Sequence, residues 1–75
     1  MKFNVILTDL MNPVSTHIEN AVRLSVVPMQ VCINNKIPLD ASFCEYFDAD
    51  ELMIVVSTEN RTSVFPLSLY SLETY

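Results

Sequence analysis

Few residues in this chain could do covalent or metal chemistry. His17 is the only histidine, and Cys32 and Cys44 are the only cysteines. A cysteine nucleophile needs an imidazole within hydrogen-bond reach. The sequence around His17, Cys32 and Cys44 offers no Gly for the tight loops that frame such pairs. A structural zinc needs four ligands, and these three residues are spaced unlike any C-x₂₋₄-C pattern. Both cysteines therefore read as small buried hydrophobes with reduced thiols, as in cytoplasm. His17 reads as a surface or helix-end residue. No catalytic residue, metal ligand or cofactor is expected.

The one compositional anomaly runs from Asp40 to Glu51. It holds Asp40, Glu45, Asp48, Asp50 and Glu51 with no basic residue, and Phe43, Tyr46 and Phe47 are interleaved. As a calcium loop, Asp48-x-Asp50 lacks the Gly turn and the distant bidentate Glu of an EF-hand. As a paired-carboxylate catalytic site it lacks any sign of a cleft. Carboxylates beside aromatic rings do suit a partner's Arg and Lys, with Tyr or Phe as central anchors. The candidate contact surface is Asp40, Glu45, Tyr46, Phe47, Asp48, Asp50 and Glu51, joined by Glu59 from a later loop. The competing reading is a solvated loop whose aromatics turn into the core.

Composition narrows the rest. Seventy-five residues make one small domain, and such a chain buries only roughly 60% of its surface. Yet 51% of it is hydrophobic, a load that suits either a dense core or a dedicated interface. Nine Asp and Glu against four Lys and Arg give a net charge of −5. That is no electrostatic footprint for nucleic acid or an anionic membrane, and it favours a basic protein partner. Without Gly, no phosphate-cradling loop can form, which excludes P-loop and dinucleotide fingerprints. Turns must use Asn, Asp and Pro, at Asn12-Pro13, Asn34-Asn35 and Asn60. Met1-Lys2 leads into too short an apolar run for a signal peptide, and no run nears the ~20 apolar residues of a membrane span.

The elements follow from periodicity. Phe3 to Leu10 alternates as a first strand. Over Val14 to Val27 two patterns compete. Val14, Ile18, Ala21 and Val22 make a helical stripe, whereas Val22, Leu24 and Val26 alternate as a strand. The expectation is a short helix or turn over Val14 to Glu19, then a strand from Ala21 to Val27 broken by Pro28. Met29 to Ile33 reads as a strand, Asn34-Asn35 as a hairpin turn, and Ile37 to Phe47 as its return. Asp48-Ala49-Asp50-Glu51 resembles a capping box that opens one helical turn.

Leu52 to Tyr70 is the clearest feature, two apolar runs around Glu59-Asn60-Arg61-Thr62 that read as a β-hairpin. An even loop, of about four residues, sets Val56 opposite Phe65, Ile54 opposite Leu67 and Leu52 opposite Leu69, all on one face. A one-residue slip would scatter that set. The other face, with Met53, Val55, Val64, Pro66 and Tyr70, is too apolar to stay wet, so something must cover it. Pro66 cannot donate to a ladder, so its strand needs an open edge or a bulge.

The expected class is mainly β, a small antiparallel barrel or sandwich of about five strands with one or two short helical turns. A helix at about 13–25 would instead make it α+β. The expected function is a non-enzymatic protein-binding module, an inhibitor or adaptor, that engages a basic partner and dimerises through a strand edge. Small accessory or viral genomes encode products of this kind, which is an analogy. Two other readings stand beside it: a structural homo-oligomeric component, and a nucleic-acid mimic whose carboxylates imitate phosphates.

Overall fold

The computed structural model describes all residues from Met1 to Tyr75. It is mainly β, with six strands in two three-stranded antiparallel sheets. The first sheet has the order β2-β1-β6, from β1 (Phe3–Asp9), β2 (Ser15–Ala21) and β6 (Tyr70–Thr74). The second has the order β3-β4-β5, from β3 (Arg23–Pro28), β4 (Leu52–Ser57) and β5 (Thr62–Pro66). The chain passes from one sheet to the other at two corners. Val22 alone joins β2 to β3, and a 3-10 turn, Leu67–Leu69, joins β5 to β6. Such corners are how sheets that face one another exchange strands. Between β3 and β4 lie two short helices, α1 (Met29–Asn34) and α2 (Phe43–Tyr46).

Two apolar clusters hold these layers. Val5, Leu7 and Ala21 of the first sheet meet Ile54 and Val56 of the second, with Ile18, Phe65 and Leu72 packed around them. On the other side of β4, Met53 and Val55 meet Met29 and Cys32 of α1, with Ile37, Leu39, Phe43 and Phe47 packed around them. β4 is thus buried on both faces. The cover demanded by the second face of the hairpin is the segment from Met29 to Phe47.

The hairpin keeps the expected parity but not the expected partners. Ile54 faces Phe65 and Val56 faces Ser63, so the pairing is displaced by two residues. The loop is four residues long, Thr58 to Arg61, closed by Ser57 opposite Thr62. The threonine at its start explains the displacement. Thr58 Oγ1 accepts the N–H groups of Asn60 (3.3 Å) and Arg61 (3.2 Å), a side-chain turn that competes with apolar matching. Pro66 lies on an open edge, as required.

Between Val14 and Phe47 the strand expected from Ala21 to Val27 is present as β3 (Arg23–Pro28), and the rest departs from expectation. Val14 to Glu19 is not helical; Ser15–Ala21 is a strand paired with β1. The apparent helical stripe has another origin. Val5 faces Ile18 while Phe3 faces Ala21, so β2 carries one extra residue there. Such a bulge lets two residues three apart point into the same core. Asn20 sits in it with φ 58°, and its N–H donates to Asn4 Oδ1 at 3.2 Å. In a chain without Gly, Asn is the cheapest residue for that left-handed position.

Met29 to Ile33 is helical, not extended, and Asn34-Asn35 ends a helix rather than turning a hairpin. Met29 and Cys32, three residues apart, face the second cluster, while Val31 and Ile33 stay exposed. A helix of six residues is unstable alone, and burial of those two side chains holds it. Its end is a Schellman motif. The Lys36 N–H donates to Ile33 O (3.1 Å), the Ile37 N–H donates to Cys32 O (2.9 Å), and Lys36 adopts φ 55°. Ile37 to Phe47 is not a strand either. Asp40 Oδ1 accepts the Ser42 N–H (2.9 Å), a turn that starts α2 and places Phe43 and Phe47 four apart on one face. Asp48 to Glu51 is a turn, closed by the Glu51 N–H on Asp48 O at 3.0 Å, not a helical turn.

Candidate functional site

The acidic stretch is built on the end of β4 that leads with Leu52. Two backbone hydrogen bonds strap it to the start of α1. The Met29 N–H donates to Glu51 O at 2.8 Å, and the Gln30 N–H donates to Ala49 O at 2.9 Å. Asp48, Asp50 and Glu51 are therefore held on an ordered turn rather than a free loop. Asp48 and Asp50 are exposed and Glu51 is half-buried.

Just before this turn, α2 divides its aromatics between core and solvent. Phe43 and Phe47 stack edge to face, with ring centroids 5.6 Å apart, and both pack on the second cluster. Tyr46 points out and is 77% exposed. The rings thus divide, Phe43 and Phe47 turning into the core and Tyr46 toward solvent. Phe47 belongs mainly to the core, and Tyr46 is the ring a partner can reach. Glu45 is exposed beside it.

Asp40 has a structural task. Its carboxylate takes both the backbone N–H and the hydroxyl of Ser42, the latter at 2.8 Å. Those donors, the backbone one foremost, hold its carboxyl below the usual carboxylate range.

Glu59 does not join the others. It sits in the hairpin loop past the far end of β4, in an ion pair with Lys2 at 3.0 Å. At roughly 3.4 Å per residue, the six residues of β4 put about 20 Å between that loop and the acidic turn.

Along the near end of β4 runs an open groove of ≈ 380 Å³ lined by Asp50, Glu51, Leu52, Leu67 and Ser68. The 3-10 turn that supplies Leu67 departs from the sequence reading, in which Leu67 and Leu69 are strand residues opposite Ile54 and Leu52. Instead both leucines are exposed at the corner between sheets. The signal was Pro66, whose missing N–H ends the ladder one residue before the turn.

The residues considered for nucleophilic or metal chemistry lie in different layers. His17 is exposed on β2, against a groove shared with Glu19 and Arg61. Cys32 and Cys44 are free thiols in the helical layer across the second sheet, the first buried and the second exposed. No group of three or more His, Cys, Asp or Glu side chains is arranged to hold a metal ion. No helix is long and apolar enough to cross a membrane.

Comparison with family models, with curated proteins and with solved structures returns no match for this chain.

Proposed function

We propose that the chain is a small non-enzymatic protein-binding module, an inhibitor or adaptor, that engages a basic partner through the acidic turn and the exposed ring beside it. The observation that carries this reading is the ordered turn itself. Three carboxylates, Asp48, Asp50 and Glu51, are fixed by backbone bonds next to an outward-facing Tyr46, with no Lys or Arg between positions 37 and 60. Fixing charges before contact lowers the entropy cost of binding, and an exposed Tyr is a favoured anchor. Glu45 extends the surface, Asp40 is exposed where its turn starts α2, and Phe47 packs beneath in the second cluster.

The test is capture from the native cytoplasm by the wild-type chain and by a variant with Asp48, Asp50 and Glu51 changed to Lys, scored by mass spectrometry. The reading expects a basic protein that the wild type retains and the variant loses. Equal capture by both overturns it.

A second reading, a self-associating structural component, is favoured by one edge. β3 and β5 are outer strands that carry Pro28 and Pro66, and β6 is only five residues long. β2 is seven residues long, pairs only with β1 and has no Pro or Lys to blunt its edge, and the bulge at Asn20 protects only its last pairing. A C2 dimer through β2 would appear in light scattering as a doubled mass without any partner.

A further inference from the structure

The binding reading leaves one feature unused: an apolar strip that begins beside the acidic turn and crosses the corner between the sheets. Leu52 and Leu67 line one groove with Asp50 and Glu51. Leu69 follows in the same 3-10 turn, and its carbonyl accepts the N–H of Leu10 at 2.9 Å. All four leucines are exposed, Leu10 at 62%. Isolated exposed apolar residues are ordinary, but a continuous run of them with a polar rim marks a contact surface.

The charges at the two ends of β4 identify its occupant. Beside the strip, Asp48, Asp50 and Glu51 stand with no cation in the groove. On the strip's other side, Asp9 caps the turn at Leu10, accepting the N–H groups of Met11 (2.9 Å) and Asn12 (3.2 Å). A second copy meeting this strip with its own would set carboxylates against carboxylates. The far end of a second copy answers the rim only weakly. Lys2, Arg23 and Arg61 stand there with Glu19 and Glu59, three cations against two carboxylates, and the loop from Thr58 to Arg61 carries no Leu- or Phe-like side chain to enter the groove. An anionic lipid surface or a nucleic acid is repelled by the same rim.

We propose that this strip seats a segment of another protein in which a Leu- or Phe-like side chain is flanked by Lys or Arg. The apolar side chain enters between Leu52 and Leu67, and the cations meet Asp50 and Glu51. This rests on the protein-binding reading and narrows it, moving the centre of the contact from Tyr46 to the groove. Apolar contact supplies the affinity, while the rim selects against acidic segments and speeds encounter.

The test uses three synthetic peptides and the full chain labelled for amide NMR. One peptide interleaves Leu with Lys, one replaces the Lys with Glu, and one replaces the Leu with Ser. The Leu/Lys peptide is expected to shift the amides of Leu10, Leu52, Leu67 and Leu69, and the other two to leave them unmoved. Leu67→Ser and Asp50→Lys, both at exposed positions, are each expected to weaken binding by about tenfold or more. Their thermal unfolding, matched to wild type, confirms that the fold is intact. Shifts confined to Tyr46 and Asp48, with Leu67→Ser without effect, overturn the groove but leave the broader reading standing. Equal response to the Leu/Lys and Lys/Ser peptides also overturns the groove, since charge alone would then account for binding. No response to any peptide overturns the groove and leaves the broader reading to the capture experiment. A concentration-dependent shift of the same leucines without peptide assigns the strip to a second copy and overturns the proposal.

Discussion

Ile54 lies directly opposite Phe65 across the β4–β5 ladder. Matching of apolar residues alone would have placed Leu67 there. The displacement has a cost that can be measured. Phe65 packs on the first cluster and stacks edge to face on Tyr70, centroids 5.2 Å apart, whereas Leu67 is exposed. Phe65→Ala is therefore expected to destabilise by about 2–4 kcal/mol, and Leu67→Ala by less than about 1 kcal/mol. Urea unfolding of the two variants checks this. Equal losses would return the hairpin to the other pairing.

Lys36 occupies a left-handed position for which it has no conformational aptitude. Gly there removes steric strain, at the expense of a more flexible unfolded chain. Lys36→Gly is expected to stabilise by about 0.5–1 kcal/mol, which for a domain of this size raises Tm by roughly 4–8 °C per kcal/mol. Lys36→Val should lower Tm, because a β-branched residue tolerates positive φ least. Calorimetry of the pair decides. A Tm unchanged in both would mean that the Schellman turn does not constrain the helix.

These two positions mark what was legible in the sequence and what was not. The β class, the first strand and the parity of the hairpin followed from alternation in contiguous residues, and its four-residue loop from the absence of Gly for a tighter turn. The bulge at Asn20 did not, because it makes Ile18 and Ala21 imitate a helix. The helix at Met29 did not, because its two buried residues are matched by two exposed apolar ones, Val31 and Ile33, which alternate with Met29 as a strand would. Tertiary cover of Met53 and Val55 decided that segment, and cover is not a local signal. For the candidate site, the acidic turn was legible as composition. The division of Phe47 from Tyr46 turned on helical spacing in a stretch read as strand.

The two thiols should differ sharply in reactivity. Cys32 is buried in the second cluster, and burial pushes its thiol up from its ordinary pKa, with its backbone hydrogen bond opposing in part. Cys44 is exposed on α2. With a thiol reagent at neutral pH, one equivalent is expected to react quickly and the second only on unfolding. Because the folded pKa of Cys32 is raised, its contribution to stability is full below the unfolded pKa and is lost as pH rises through the folded one. Stability should therefore fall on the alkaline side in wild type and less so in Cys32→Ala, each measured against its own neutral value. Two fast equivalents at neutral pH would contradict the packing of α1.

Asp40 gives the acid side of the same relation. Its folded pKa is lowered by the Ser42 donors, so its contribution is present above the unfolded carboxyl value and disappears as pH falls through the folded one. Ser42→Ala removes the hydroxyl donor and keeps the backbone one, so the Asp40 carboxyl should titrate higher than in wild type without reaching a free carboxyl. An NMR titration of the side-chain carbonyl carbon reads this directly. An unchanged midpoint would mean that the hydroxyl bond does not form in solution.

Glu59 separates the acidic surface from acidity in general. The sequence grouped it with Asp48, Asp50 and Glu51, but it lies past the other end of β4 and is tied to Lys2. Both members of that pair are substantially exposed, and such pairs contribute about 0–1 kcal/mol. Glu59→Lys changes net charge as much as Asp50→Lys does, so the two variants share any long-range electrostatic penalty. If contact is made at the acidic turn, Asp50→Lys weakens capture of a basic partner strongly. Glu59→Lys lowers it only by the shared, salt-screened part. Measuring both at about 0.15 M and about 0.5 M salt isolates the local share. If the two variants lose capture equally at both salts, net charge and not the turn selects the partner.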